Sequence, residues 1–206
     1  TFGGKLTSCL VNPRACHETE LTFVKTASPK SIAVVGAGPA GMAFASVAAE
    51  RGHKVTLFDA GKEIGGQFNI AKLIPGKEEF YETLRYYRVM LKKHGVDVRL
   101  ETRVSVDELK AGNFNEVVLA TGVAPRIPDI EGIDHPKVIG YLDALLERKP
   151  VGQKVAVVGA GGIGFDVSEF IVHKGTSAAL DAGHFMREWG VDLTVEHRGG
   201  IKGVTP

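Results

Sequence analysis

Two glycine-rich hexads hold the residues of this chain whose types and spacing could do chemistry. Gly36-Ala37-Gly38-Pro39-Ala40-Gly41 and Gly159-Ala160-Gly161-Gly162-Ile163-Gly164 both have the form G-x-G-x-x-G. In the first, Gly36 permits a tight turn, Gly38 lets the backbone approach a pyrophosphate with no Cβ in the way, and Gly41 lets a helix lie close on its strand. The helix that follows presents free N–H groups and its positive dipole end to the phosphates. Asp59 stands 23 residues after Gly36, at the end of the next expected strand, where a carboxylate can accept hydrogen bonds from ribose hydroxyls. A glycine turn with a surface aspartate is the bland alternative, and the order strand, turn, helix, strand, acid weighs against it.

The second hexad also follows an apolar β-branched run and precedes a helix-like one, so a second dinucleotide is expected at Gly159, Gly161, Gly162, Ile163 and Gly164. The alternative is a duplicated turn that binds no phosphate, because no later strand with a ribose-reading residue can be identified. NAD and NADP therefore stay undivided at this point. Val34-Val35-Gly36-Ala37-Gly38 and Val157-Val158-Gly159-Ala160-Gly161 match residue for residue at a spacing of 123. An echo at that distance signals two related domains rather than a solenoid.

Other reactive residue types are scattered. No side chain is an obvious acid–base catalyst, and the seven histidines lack paired ligand spacing. Cys9 and Cys16, the two cysteines, lack the C-x-x-C pairing of a dithiol redox centre and fit a reducing compartment, so a cytoplasmic location is expected. With 25 basic against 24 acidic residues the net charge is +1, which gives no global field to attract nucleic acid or an anionic membrane. Residues 32–49 carry no charge and approach the length of a membrane span. Gly36, Gly38, Pro39 and Gly41 break that run into a strand and a small-residue helix. The chain opens Thr1-Phe2-Gly3-Gly4, without an initiator Met or a basic-then-apolar leader, so no secretory signal is expected and a longer parent is.

Positioning these residues takes alternating strands and helices. At 206 residues and 44% hydrophobic the chain can bury one large core or two small ones. Residues 1–30 show neither helical nor strand period and end in polar Ala27-Ser28-Pro29-Lys30, as an arm does. Strands are expected over 32–35 and 55–58 with a helix over 39–51 between them, a βαβ unit. Residues 77–94 form the clearest amphipathic helix, with Phe80, Leu84, Tyr87 and Leu91 on one face and Gly95 beyond. Further strands are expected over 96–100, 117–120 and 155–158, with helices over 142–147 and 165–173. Residues 174–206 are glycine-rich and aperiodic.

Longer strings point to a family. Cys9-Leu10-Val11-Asn12-Pro13-Arg14-Ala15-Cys16-His17-Glu18, Gly65-Gly66-Gln67-Phe68-Asn69-Ile70-Ala71-Lys72, Ile74-Pro75-Gly76-Lys77-Glu78-Glu79-Phe80 and Gly132-Ile133-Asp134-His135-Pro136-Lys137-Val138 resemble the bacterial NADPH-dependent 2,4-dienoyl-CoA reductases, relatives of trimethylamine dehydrogenase and the old yellow enzymes. Gly65-Gly66-Gln67 is similar to the second phosphate-side loop of glutathione-reductase-type FAD domains, and Ala120-Thr121-Gly122 to their A-T-G crossing.

The resemblance implies an α/β fold of two Rossmann-like, glutathione-reductase-type nucleotide-binding domains, the second truncated. Residues 1–30 would be an arm following an absent (β/α)8 barrel, 31–149 an incomplete FAD-binding domain, and 150–206 the start of the NAD(P)H-binding domain. Gly36, Gly38, Ala40 and Gly41 would contact the FAD pyrophosphate, Asp59 the ribose, Gly66 and Gln67 the diphosphate side, and Val104 the adenine through its backbone. NADPH would dock at the second hexad. In the parent, electrons would pass from NADPH to FAD, through a 4Fe–4S cluster to FMN, and to a 2,4-dienoyl-CoA in unsaturated fatty acid β-oxidation. Cys9 matches the last of four cluster ligands; a lone thiolate holds no cluster, so it is inert here. The barrel would hold the substrate, and the isolated chain is expected to lack dienoyl-CoA reduction. The alternatives are a related enoate reductase or amine dehydrogenase, or a module that holds ADP without redox chemistry.

Overall fold

In a computed structural model of the chain, the structure describes residues 14–197 together with residues 3, 4, 7, 9, 12, 200 and 201. Leu10, Val11 and Pro13 of the diagnostic arm string, and most of the stretch after residue 197, lie outside the described residues. The chain divides into two compact units, Thr1–Gln67 with Glu82–Ala124, and Phe68–Tyr81 with Pro125–Pro206.

The first unit is a parallel sheet of order β3-β2-β1-β4, built from β1 (Ser31–Val35), β2 (Lys54–Phe58), β3 (Asp97–Arg99) and β4 (Glu116–Leu119). β-Branched and aromatic residues favour the pleat, and a central parallel strand must be apolar on both faces. Accordingly Ile32, Ala33 and Val34 of β1 are buried. Val34 lies opposite Leu57 on one side and Val118 on the other, and Phe58 lies opposite Arg99. All four strands run the same way, so their C-terminal ends share one edge. That edge is where a crevice forms in open α/β sheets.

Helix α1 (Pro39–Glu50) joins β1 to β2 and packs on both. Proline at its first position has the φ a helix needs and lacks an N–H that would be unpaired there anyway. Its small residues bring the helix close, burying Met42, Ala45, Ser46, Ala48 and Ala49. Met42, Leu57 and Val34 are fully enclosed, each stabilising by about 1.5–3 kcal/mol. Helix α3 (Glu79–Lys93) buries Thr83, Leu84, Tyr87 and Leu91, and Phe80 is half-buried, so the expected apolar face is the face that packs. Gly95 follows it with φ +69, as a helix end requires. A short helix α4 (Val106–Ala111) was not expected. Its Ser105 Oγ accepts from the Glu108 amide (3.2 Å) while the Ser105 amide donates to Glu108 Oε2 (2.7 Å), a capping box written as S-x-x-E.

The second unit holds α2 (Phe68–Ala71), α5 (Tyr141–Leu145), α6 (Gly162–Val172), a 3-10 turn (Ala178–Leu180) and α7 (Ala182–Glu188). Its core is Ile74, Leu145 and Val167, with Ile70, Tyr141, Phe170 and Ile171 packed around them. Helix α7 falls in the stretch read as aperiodic. Asp181, its N-cap, accepts from the His184 amide, a start signal legible in the sequence.

The strand expected over residues 155–158 does not form. No described residue pairs with it, and Val155, Val157 and Val158 are 45%, 41% and 83% exposed. A strand exists only as part of a ladder. β1 forms because β2 and β4 take up its N–H and C=O groups, whereas the second apolar run has no such neighbours among the described residues.

Candidate dinucleotide-binding corners

The first corner begins where β1 ends. The Gly36 amide donates to the Phe58 carbonyl (2.8 Å) and the Ala120 amide to the Val35 carbonyl (2.8 Å), so three strand ends are tied together there. Gly36 has φ +108, and a Cβ on it would run into the Ala120 carbonyl oxygen. Only glycine fits. Gly41 is equally constrained, since its Cβ would strike the Gly36 carbonyl oxygen; this is the close approach of α1 to the turn. Gly38 is different. It has extended backbone (φ −73, ψ −177) and nothing within 4 Å of where its Cβ would be. The side of the turn facing away from protein is therefore the side that Gly38 leaves bare.

Asp59 does more than end β2. Its Oδ2 accepts from the Ala37 amide (2.6 Å) and its Oδ1 from the Gly61 amide (2.7 Å). The carboxylate thus braces the glycine turn and the loop after β2 at once. A carboxylate offers about four acceptor positions, so two remain for ribose hydroxyls. This bracing was not legible in the sequence, where Asp59 was read only as a ribose ligand.

The structure brings the second loop to the first. The Gly65 amide donates to the Ala37 carbonyl (2.8 Å), and a Cβ on Gly66 (φ +50) would sit 3.0 Å from the Gly38 Cα. Gly66 and Gln67 are exposed beside that approach. The Thr102 amide donates to the Asp59 carbonyl (2.8 Å), which starts the segment toward half-buried Val104 from the same edge. Gly36, Gly38, Gly41, Asp59 and Gly66 therefore converge. For Ala40 the structure shows its place in the first turn of α1, where N–H groups have no intrahelical acceptor. A bare Gly38, first-turn amides without an intrahelical acceptor and an acid beside them suit a dinucleotide diphosphate.

The second corner repeats the first locally. Gly159 has φ +118, Gly161 caps α6 with φ −88 and ψ −177, and a Cβ on Gly164 would strike the Gly159 carbonyl oxygen. The Phe165 amide donates to Gly161 O (3.1 Å) as the Met42 amide does to Gly38 O (2.9 Å). Gly161 and Gly162 leave open space, and Ile163 is exposed. What differs is the setting. No atom lies within 4 Å of a Cβ on Gly159, where Ala120 crowds Gly36. The first corner has its sheet, and the second has the turn and the helix.

Cys9 is half-buried and Cys16 exposed, both as free thiols. Among the described residues no three His, Cys, Asp or Glu side chains gather closely enough to hold a metal ion, and no helix is long and apolar enough to cross a membrane. His53 accepts from the Lys30 amide (3.1 Å) and His135 from the Lys137 amide (3.1 Å), both through Nδ1. These two histidines serve the backbone.

Known proteins are similar to the chain over most of its length. The chain is 37% identical over 179 residues to a metal reductase of Desulforamulus reducens, covering 85% of this chain and 27% of that protein. It is 37% identical over 178 residues to a cinnamate reductase of Clostridium sporogenes, covering 84% and 26%. The solved structure of a 2-naphthoyl-CoA reductase in complex with 2-naphthoyl-CoA superposes with a TM-score of 0.78 at 35% identity, over 82% of this chain and 26% of that one. The chain thus spans about a quarter of the length of these relatives. Residues 30–199 match the sequence family described as pyridine nucleotide-disulphide oxidoreductase, which takes in both glycine corners, and the chain belongs to that family of flavin-dependent oxidoreductases.

Proposed function

We propose that the chain is the electron-input section of an NADPH-dependent 2,4-dienoyl-CoA reductase. In this reading residues 31–149 form the FAD domain and residues 150–206 open the NADPH domain. The observation that carries it is the first corner: a Gly38 with nothing in front of its Cβ position, flanked by exposed Gly66 and rimmed by Asp59. Bound FAD and NADPH would supply the redox chemistry, and the chain supplies placement. Gly36, Gly38, Ala40 and Gly41 hold the FAD pyrophosphate, with Gly66 and Gln67 on its other side. Asp59 orients the ribose, and the Val104 backbone meets the adenine. Gly159, Gly161, Gly162, Ile163 and Gly164 take the NADPH diphosphate at the α6 N-terminus.

The acyl-CoA assignment is supported by the likeness to a 2-naphthoyl-CoA reductase; FMN and the diene site would belong to the barrel of the parent, and the cluster would take Cys9 as its last ligand with the other three supplied from outside this chain. A related enoate reductase is the second reading, favoured by the cinnamate reductase likeness. The test is spectroscopic. The purified chain, mixed with FAD and freed of unbound flavin, should stay yellow and bleach with NADPH under anaerobic conditions. A colourless chain that retains only ADP would refute the redox reading, and dienoyl-CoA reduction by the chain alone would refute the placing of that chemistry in a barrel.

A further inference from the structure

Residues 68–81 leave the first unit directly after Gly66-Gln67 and fold into the second before the chain returns at Glu82. This excursion is stiff. Backbone bonds run Lys72 to Phe68, Leu73 to Ile70, Ile74 to Ala71, Lys77 to Ile74, Phe80 to Lys77 and Tyr81 to Glu78, amide to carbonyl, at 3.0–3.2 Å. Its two ends are closed by Phe68 stacked on Phe80, ring centroids 4.6 Å apart.

Three attachments fasten it to the rest of the second unit. Ile74 is buried against Leu145 and Val167. The Gly76 amide donates to Ser177 Oγ (3.2 Å). Lys77 Nζ donates to both carboxylate oxygens of Asp166, each at 2.6 Å. Asp166 stands on α6, two positions beyond Gly164 of the second glycine corner. The strap is therefore anchored to the helix whose N-terminus forms that corner, while its chain entry is the loop expected to face the FAD diphosphate.

We propose that Lys77 and Asp166 are positioning residues that make the setting of Gly66-Gln67, and hence FAD affinity, depend on occupancy of the α6 corner; this rests on the proposed function. A nucleotide that orders the start of α6 holds Asp166, Asp166 holds Lys77, and the stiff strap holds the loop ahead of Phe68. By linkage the effect is reciprocal: FAD strengthens nucleotide binding by the same factor. Its size is bounded by the latch. The pair is 39% and 28% exposed in its side chains, so the coupling is about two- to fivefold, the range of a partly screened ion pair.

The experiment measures the FAD dissociation constant of the chain by fluorescence quenching, with and without saturating NADP+ or, separately, NAD+. The wild-type chain should bind FAD about two- to fivefold more tightly with the nucleotide that binds. Lys77→Met and Asp166→Asn should each bring that ratio to one with thermal stability retained, and the exchange Lys77→Asp with Asp166→Lys should restore most of it. Amide exchange in residues 68–81 should quicken in Lys77→Met and stay unchanged in β1. Should Lys77→Met misfold, Ser177→Ala, which removes one attachment only, should lower the ratio part of the way. A wild-type ratio of one, or an unchanged ratio in Lys77→Met, overturns the coupling and leaves the proposed function standing. Failure to bind FAD, or either nucleotide, overturns both.

Discussion

Gly38→Ala and Gly41→Ala separate a binding role from a folding role within one turn. At Gly38 a methyl meets nothing within 4 Å, and φ −73 with ψ −177 is ordinary extended backbone for alanine. The FAD-free chain should lose only the small difference between Gly and Ala as N-cap, about 0.5 kcal/mol. At Gly41 the methyl strikes the Gly36 carbonyl, part of a turn held by the bond that the Gly36 amide donates to the Phe58 carbonyl. Overpacking against such a neighbour costs about 1–3 kcal/mol. With FAD the order reverses in meaning. If the pyrophosphate rests on the bare side of Gly38, the same methyl occupies its place and costs a similar 1–3 kcal/mol of binding, about a 5- to 150-fold rise in Kd. Urea titration without FAD and fluorescence titration with it give the two quantities. Gly38→Ala with wild-type FAD affinity would show that no diphosphate sits there. Gly38→Ala destabilised as much as Gly41→Ala would show that the open space is filled by protein.

Two further outcomes follow from named contacts. Asp59→Asn should destabilise the FAD-free chain by about 1–2 kcal/mol, because one of the Ala37 and Gly61 amides then faces an NH2 group; unchanged urea stability would reduce Asp59 to a ribose ligand. Hydrogen bonds from Thr194 Oγ1, then from the His197 ring and amide, hold the Asp192 carboxyl well below the usual aspartate range. A depressed folded pKa contributes stability that is present above the ordinary aspartate value and is lost as pH falls below it. Melting of Asp192→Asn between pH 6 and 2 should therefore start lower and fall less steeply than wild type, and parallel curves would reject the claim.

Much of the first corner was legible because it is written in contiguous residues. Gly36, Gly38 and Gly41 differ in the structure as their spacing implies: two are forced by backbone crowding and one is left bare. Strands β1, β2 and β4 came within a residue or two of expectation, since buried β-branched runs bounded by turns leave few alternatives. The second role of Asp59 was hidden, as nothing in a local pattern says which amide a carboxylate will find. In the sequence Ala120 is only the first residue of an A-T-G string, whereas in the fold its carbonyl is the wall behind Gly36. The Lys77–Asp166 pair joins residues 89 apart, with no period or motif to announce it.

The two corners also show which part of such a motif is local. The turn at Gly159 and the start of α6 take the same shape as their counterparts although residues 155–158 pair with no strand among the described residues. The shape therefore comes from the hexad itself, through positive φ at the first glycine and contact between the last glycine and the first carbonyl. What the hexad cannot supply is the surrounding sheet: the carbonyl that backs the first glycine and the acid that braces the second residue. Both arrive from strands distant in sequence, Ala120 after β4 and Asp59 after β2. A glycine hexad thus specifies a phosphate-sized turn, and the strands beside it decide how rigidly that turn is held. On that ground the first corner should bind its dinucleotide more tightly than the second, because rigidity before binding lowers the ordering cost of binding.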